Sequence, residues 1–414
     1  MKSSRNIRAS ALVASSLALF SLLMGALPHA GATAVSSSDS QGSDTRRAVT
    51  ARPSVEGDWQ VGSGVMRITR TGEDTFTGVA ITRIHVFGFP HCTVHDAGQP
   101  LFGPITARSN NDSTYYGPWS WWNVSGGGCE RVSLDPDSLW AVSADGLSLE
   151  VCSETSSGRT SCTSLPRVPT DVVALGDSYS SGEGAGPYRD GGCHRSDEAW
   201  INTVVEQSVG RFRLAKLLAC SGARVPDLSI PFKGQSAQVS QIPPETDLVT
   251  LTIGGNDTGF SEVLTNCVLQ NCVNSGRLEE ARRDVSRELP RLLAEAYASV
   301  RTRMPAGAEL VVVGYPRLLP NSKEEEDCGW LRSQERRLIN QLGAQLNQTI
   351  AAVASAVRAR YVDVTDALDG HELCTTNKSW IFPVRPGGGQ QRGHPIEQGQ
   401  RAIARIVAEA LLGS

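Results

Sequence analysis

The chain has 414 residues, of which 40% are hydrophobic and 20% charged, and its formal net charge is −4. That length allows about two to three domains, and the balance excludes a disordered or polytopic membrane protein. A mildly acidic chain also lacks the electrostatic footprint of a nucleic-acid binder.

The N-terminus opens with Lys2, Arg5 and Arg8, followed by an apolar run from Ala11 to Leu27 and small residues at Ala30-Gly31-Ala32 and Ala32-Thr33-Ala34. A membrane anchor is the alternative, since the run nears the roughly 17–20 residues that a span needs. Its serines and its small-residue exit favour cleavage by a signal peptidase. Residues 1–34 are therefore expected to be a signal peptide and the protein to be secreted and extracellular. Removing three positive charges and no negative ones takes the net charge from −4 to −7.

Ten cysteines remain, at 92, 129, 152, 162, 193, 220, 267, 272, 328 and 374. An even count in an exported chain reads as disulfides. A metal site is disfavoured, because neither a CxxC pair nor an HExxH helix occurs. Sequence does not fix the connectivity; sequential pairing within each domain is the simplest scheme.

Residues 35–54 are rich in Ser, Thr, Gly and Asp without apolar periodicity and read as a disordered linker. From Val55 to Leu165 the pattern turns to β. "GVMRITRTGEDTFTGVAITRIHVFGF" alternates apolar and polar residues around a turn at Gly72-Glu73-Asp74, and Asp145-Gly146 is a hairpin signal. A small antiparallel barrel or sandwich is expected over 55–165, stapled by Cys92–Cys129 and Cys152–Cys162. Its aromatic run, Tyr115, Tyr116, Trp119, Trp121 and Trp122, suits core packing better than a sugar- or lipid-binding face.

The prolines of "LPRVPT" (165–170) close that domain, and strands then alternate with helices over 168–414. "DVVALGD" (171–177), "LVTLTIGG" (248–255), "ELVVVGYP" (309–316) and "ARYVDV" (359–364) are buried-strand runs. "FRLAKLLAC" (212–220) is a less decisive fifth. Helical stretches fall around 197–208, 287–304, 332–358 and 396–412. The expected fold is α/β, a parallel sheet between helices preceded by a small all-β domain. Chemistry in such sheets sits beyond the carboxyl ends of the strands.

Four segments stand there. Gly176-Asp177-Ser178 places a serine just past a strand, where its own N–H can meet an oxyanion; a plain helix N-cap is an equal alternative. Gly254-Gly255-Asn256-Asp257 offers an amide donor or a tight turn. Cys220-Ser221-Gly222-Ala223 adds a glycine N–H, and His394-Pro395 opens the last helix.

In order and spacing these blocks resemble the SGNH (GDSL) hydrolase family, over Asp171 to Ser414. They are similar above all to its secreted actinobacterial lipases and esterases, through "ALGDSYSSG", "CSGA", "TIGGND", "GYPR" and the "GHE-C" arrangement ending at Cys374. The resemblance implies a three-layer sandwich. It makes Ser178 the nucleophile, His394 its base, and Ser178, Gly222 and Asn256 the oxyanion hole. It also implies bridges Cys193–Cys220, Cys267–Cys272 and Cys328–Cys374, an acyl-enzyme, and no metal or organic cofactor. The GxSxG elbow of the competing α/β-hydrolases is missing.

Where the family usually carries Asp three residues before its histidine, this chain has Gln391. The expectation is a dyad in which the Gln391 backbone carbonyl orients His394, with Asp363 and Asp366 as rival carboxylates. The substrate would be an acyl ester or lipid, handled by a monomer. A second reading is a polysaccharide deacetylase whose β domain contacts the cell wall or a sugar. A third is an inert secreted binding protein, which the intact set of four residues disfavours.

Overall fold

The computed structural model describes residues 54–412, apart from 87–88, 109–112, 126–127, 155–157, 270–271, 274, 322–330, 376 and 385–388. For 85–94, 120–134 and 269 it describes at most the backbone. The expectations for the signal peptide, for most of the linker, for Cys92–Cys129 and for Cys328 lie outside the described residues and side chains.

Ten strands form the β-rich part: β1 (Gly57–Val61), β2 (Gly64–Arg70), β3 (Thr75–Ala80), β4 (Ile84–Val86), β5 (Phe89–His95), β6 (Pro100–Ala107), β7 (Thr114–Ser125), β8 (Gly128–Val142), β9 (Ser148–Glu154) and β10 (Thr160–Val168). Eight of them close an antiparallel barrel in the order β1-β10-β9-β8-β7-β6-β3-β2, while β4 and β5 pair as a separate hairpin. The alternation read from the sequence sends one face inward. Trp59, Met66, Ile68, Phe76, Ile105, Trp140 and Leu149 fill the interior, each at most 2% exposed. These residues form one packed core cluster within the barrel. Tyr115 and Trp119 belong to this packing, with Trp119 edge-on to Trp140 at 5.3 Å, whereas Tyr116 is exposed. Cys152 and Cys162 face each other across β9 and β10 and are bonded.

The prolines of 165–170 do not stop the barrel at Leu165. β10 runs on to Val168, because Pro166 needs no donor where it pairs with Ser148 and Arg167 N–H still reaches the Leu147 carbonyl at 2.8 Å.

One residue later the parallel sheet begins. Its strands are β11 (Thr170–Gly176), β12 (Phe212–Leu217), β13 (Leu248–Thr252), β14 (Glu309–Val313) and β15 (Arg360–Val362), in the order β12-β11-β13-β14-β15. The helices are α1 (Ser178–Ser181), α2 (Trp200–Gln207), α3 (Phe260–Leu269), α4 (Gly276–Arg287), α5 (Leu289–Arg303), α6 (Ser333–Ala356) and α7 (Glu397–Leu412). Val173, Leu175, Val249, Leu251, Leu310 and Val312 pack on one side with residues of α3 to α6. Val172, Ala174, Leu248, Val311 and Val313 pack on the other with α2 and α7. That is the expected three-layer arrangement. β12 reads weakly in sequence because it is an edge strand, none of whose residues is fully buried.

Candidate active site

Three of the four segments singled out from the sequence follow the carboxyl ends of β11, β12 and β13, Tyr315 follows β14, and the fourth, His394-Pro395, leads into α7. β11 ends at Gly176, whose φ of +128° and close approach to the Thr252 carbonyl leave no room for a side chain. Asp177 then caps α1, its Oδ1 accepting the Tyr179 N–H at 2.9 Å. The turn that follows buries Ser178 but leaves its N–H without an acceptor among the described residues.

The final loop brings His394 over this serine. His394 Nε2 lies 2.7 Å from Ser178 Oγ. Hydroxyl and imidazole are thus in hydrogen-bond contact, as a nucleophile and its base must be. Both line a cleft of roughly 920 Å³ including its open mouth, together with Asn256. Phe260 and Leu264 from α3 and Ile339 and Gly343 from α6 line it as well. The Asn256 amide gives one hydrogen to the Ala223 carbonyl at 2.9 Å, and the second remains for a ligand. Gly222, at φ +84°, immediately precedes Ala223 and stands outside the residues that line the cleft. Its N–H has no acceptor among the described residues.

Residues 174–402 match the GDSL-like Lipase/Acylhydrolase family. The chain belongs to that family. It is similar to a lipase of Streptomyces rimosus, 36% identical over 251 residues that cover 59% of this chain and 87% of that protein. Lipase 1 of Streptomyces coelicolor is also 36% identical, over 57% of this chain and 84% of its own length. Among solved structures, an extracellular lipase from Streptomyces rimosus superposes with a TM-score of 0.51 at 34% identity, covering 58% of this chain and 99% of that one. A phospholipase A1 from Streptomyces albidoflavus gives a TM-score of 0.50 at 35% identity, over 58% and 98%. This GDSL hydrolase is a carboxylic ester hydrolase close to the actinobacterial lipases, acting on an ester or lipid. The similarity falls on the sheet-and-helix part, and the barrel lies before the matched residues.

Around Ser178 and His394, this GDSL hydrolase carries a buried polar network that sequence reasoning did not find. The Tyr315 hydroxyl donates to Asp177 Oδ2 at 2.5 Å and accepts the Gly255 N–H at 2.9 Å. It thereby joins the ends of β11, β13 and β14. Burial pushes the Asp177 carboxyl up to about 7, against the Tyr315 and Tyr179 hydrogen bonds that favour its charge. Burial likewise pushes Asp257 up to about 6, although the Val225 N–H bonds to it. The Tyr315 hydroxyl is held well above the ordinary tyrosine range by burial and by the neighbouring carboxylate.

Gln391, whose carbonyl is the expected orienting group, sits in the turn just before His394. Its carbonyl accepts the His394 backbone N–H at 3.0 Å, and its side-chain amide donates to the Tyr188 hydroxyl at 2.9 Å. Among the described residues His394 Nδ1 closes no hydrogen bond. The Gln391, Arg392 and Gln390 carbonyls stand near enough to favour the protonated ring, so any main-chain influence is shared among three residues. Burial outweighs them and lowers the histidine below its usual pKa. The rival carboxylates do not turn to the ring: Asp363 bonds Thr365, and Asp366 pairs with Arg317 at 2.7 Å.

Cys193–Cys220 and Cys267–Cys272 are bonded. Cys374 is also disulfide-bonded. His371 stacks on Trp380 at 3.6 Å, and its Nδ1 donates to the Lys378 carbonyl at 2.9 Å, as a loop anchor would. The apolar cleft wall was missed because it joins Phe260 and Leu264 of α3 to Ile339 and Gly343 of α6, segments distant in sequence whose meeting no local pattern encodes.

Proposed function

We propose that this protein is a secreted acyl-ester hydrolase working through a Ser178–His394 dyad. The observation that carries the reading is the 2.7 Å contact between His394 Nε2 and Ser178 Oγ at the mouth of an apolar cleft. Ser178 Oγ attacks the acyl carbonyl as its proton passes to Nε2. The tetrahedral oxyanion is received by the Ser178 and Gly222 N–H groups and the free hydrogen of the Asn256 amide. Collapse expels the alcohol, which takes the proton from His394, and leaves the acyl group on Ser178. Water, deprotonated by the same histidine, then releases the acid. A depressed histidine pKa suits this base, because the neutral ring persists at lower pH.

The cleft supports a preference for acyl chains longer than acetyl, which favours a lipase-type ester over an acetylated polysaccharide. The similar proteins are named lipases and, in one case, a phospholipase A1. Secretion is supported by the basic and apolar N-terminus and by the disulfides. Among the described residues no helix is long and apolar enough to cross a membrane.

The test is covalent labelling by a fluorophosphonate probe with peptide mapping, beside a p-nitrophenyl ester panel. Label on Ser178, its loss in Ser178→Ala, and preference for chains beyond butyrate are expected. A folded protein that takes no label would overturn the reading.

A further inference from the structure

When His394 takes the serine proton, positive charge develops on a ring whose Nδ1 closes no hydrogen bond among the described residues. Position 391 offers no carboxylate, yet a buried one stands behind it. Glu183, in the turn after α1, is 0% exposed. Its carboxylate accepts from His194 Nδ1 at 2.7 Å and from the Tyr188 hydroxyl at 3.2 Å. That hydroxyl in turn accepts the Gly184 N–H at 3.0 Å and the Gln391 amide at 2.9 Å. Polar contacts therefore run from the carboxylate to the residue whose carbonyl holds the His394 N–H. The turn is also packed against the histidine itself: a Cβ on Gly184 would lie 3.1 Å from His394 Cβ and 2.7 Å from the Pro395 carbonyl.

Building on the dyad reading above, we infer that Glu183 is a positioning residue for His394, supplying from one layer back the carboxylate that position 391 lacks. Its charge favours the imidazolium formed during attack, and Tyr188 passes its hold to the Gln391 turn. Glu183 exerts the largest of the influences that raise the His394 pKa against burial. Among the described residues, Ser178 and Tyr179 on α1 face His394, Tyr188 and His194 on the following loop bond Glu183, and Arg392 lies on the histidine's own turn. The charges nearby on the 189–197 loop are paired among themselves, Arg195 with Asp190 and Arg189 with Asp197. Tyr188 also stacks on His194 at 4.5 Å, which keeps the carboxylate's two donors in place.

The pH profile of kcat/KM on p-nitrophenyl butyrate, for wild type, Glu183→Gln and Glu183→Asp, tests this. Removing the charge lowers the His394 pKa, so in Glu183→Gln the acid limb should move to lower pH by about half to one unit. Its kcat should fall about tenfold or more, with KM within about twofold. Glu183→Asp keeps the charge but withdraws it by one methylene, and should lie between the two. A folded Glu183→Gln with wild-type kcat and an unmoved limb would overturn the inference. If that variant does not fold, an unmoved limb and unchanged kcat in Glu183→Asp would do the same. Ser178→Ala is assayed alongside. Retained activity there defeats the dyad itself, whereas an inactive Ser178→Ala beside a wild-type-like Glu183→Gln defeats only the role given to Glu183.

Discussion

The Tyr179 hydroxyl donates to the Gly393 carbonyl at 2.9 Å, tying the residue after Ser178 to the residue before His394. The same ring lies 5.2 Å from the imidazole and edge-on to Tyr315 at 5.0 Å. Two segments more than two hundred residues apart in sequence are thus held together by one side chain. Tyr179→Phe keeps the ring and removes the hydrogen bond. It should lower kcat about tenfold, or about 1.4 kcal/mol of barrier, with little change in KM. Steady-state kinetics on a soluble ester checks this; a wild-type kcat would show that the histidine loop holds itself.

Asn256→Ala should lower kcat by about 10²–10³ with KM little changed, as loss of one oxyanion donor does elsewhere. The side chain also donates to the Ala223 carbonyl, so the melting temperature should drop slightly too. Kinetics and a thermal melt on the same sample separate the effects, and an unimpaired kcat would remove Asn256 from the mechanism.

Asp177 predicts a pH-dependent stability of definite sign. Its folded-state pKa of about 7 lies above the ordinary 3.8, so the folded protein holds the proton more tightly than the unfolded chain. The stabilisation is complete below about pH 4 and is lost as pH rises through about 7, amounting to roughly 4 kcal/mol. Urea denaturation of wild type and Asp177→Asn from pH 4 to pH 8 should show the variant gaining relative to wild type as pH rises. Parallel curves would mean that Asp177 does not titrate in this range.

Gly343 tests the acyl cleft. It lies on α6 in the wall, and a Cβ there would be 3.7 Å from Phe260, ordinary contact distance. Gly343→Leu should fold normally and occupy space meant for the acyl chain. Activity on p-nitrophenyl acetate should persist, while kcat/KM for the octanoate ester falls tenfold or more, in line with about 1–3 kcal/mol per misplaced methylene or two. Equal effects on both esters would place the acyl chain elsewhere.

Much of this was legible because the chemistry sits where strands end. Runs such as "DVVALGD" and "LVTLTIGG" are apolar on both faces, which marks the central strands β11 and β13 and with them Ser178 and Asn256. α4 escaped notice because only Leu278, Ala281 and Val285 of its twelve residues are buried, a stripe too narrow to stand out among its charges. Glu183 was in plain view within "GDSYSSGEG" but reads as a solvated turn residue. Its burial depends on Tyr188 and Gln391, 203 residues apart, and no local pattern encodes such a meeting.

The closure of the barrel has a kinetic consequence. β1 pairs on one side with β2 next door, but on the other with β10, Asp58 against Val168. A chain emerging N-terminus first can zip hairpin after hairpin, yet β1 keeps an unpaired edge until residue 168 is free. The last seam to form spans the whole barrel sequence, the kind of distant pairing that slows folding. Because β11 follows after a single residue, that seam and the first strand of the hydrolase sheet reach the folding chain almost together. Substitutions along the β1–β10 seam should accordingly be felt in the rate at which the finished enzyme accumulates, even where its final activity is untouched.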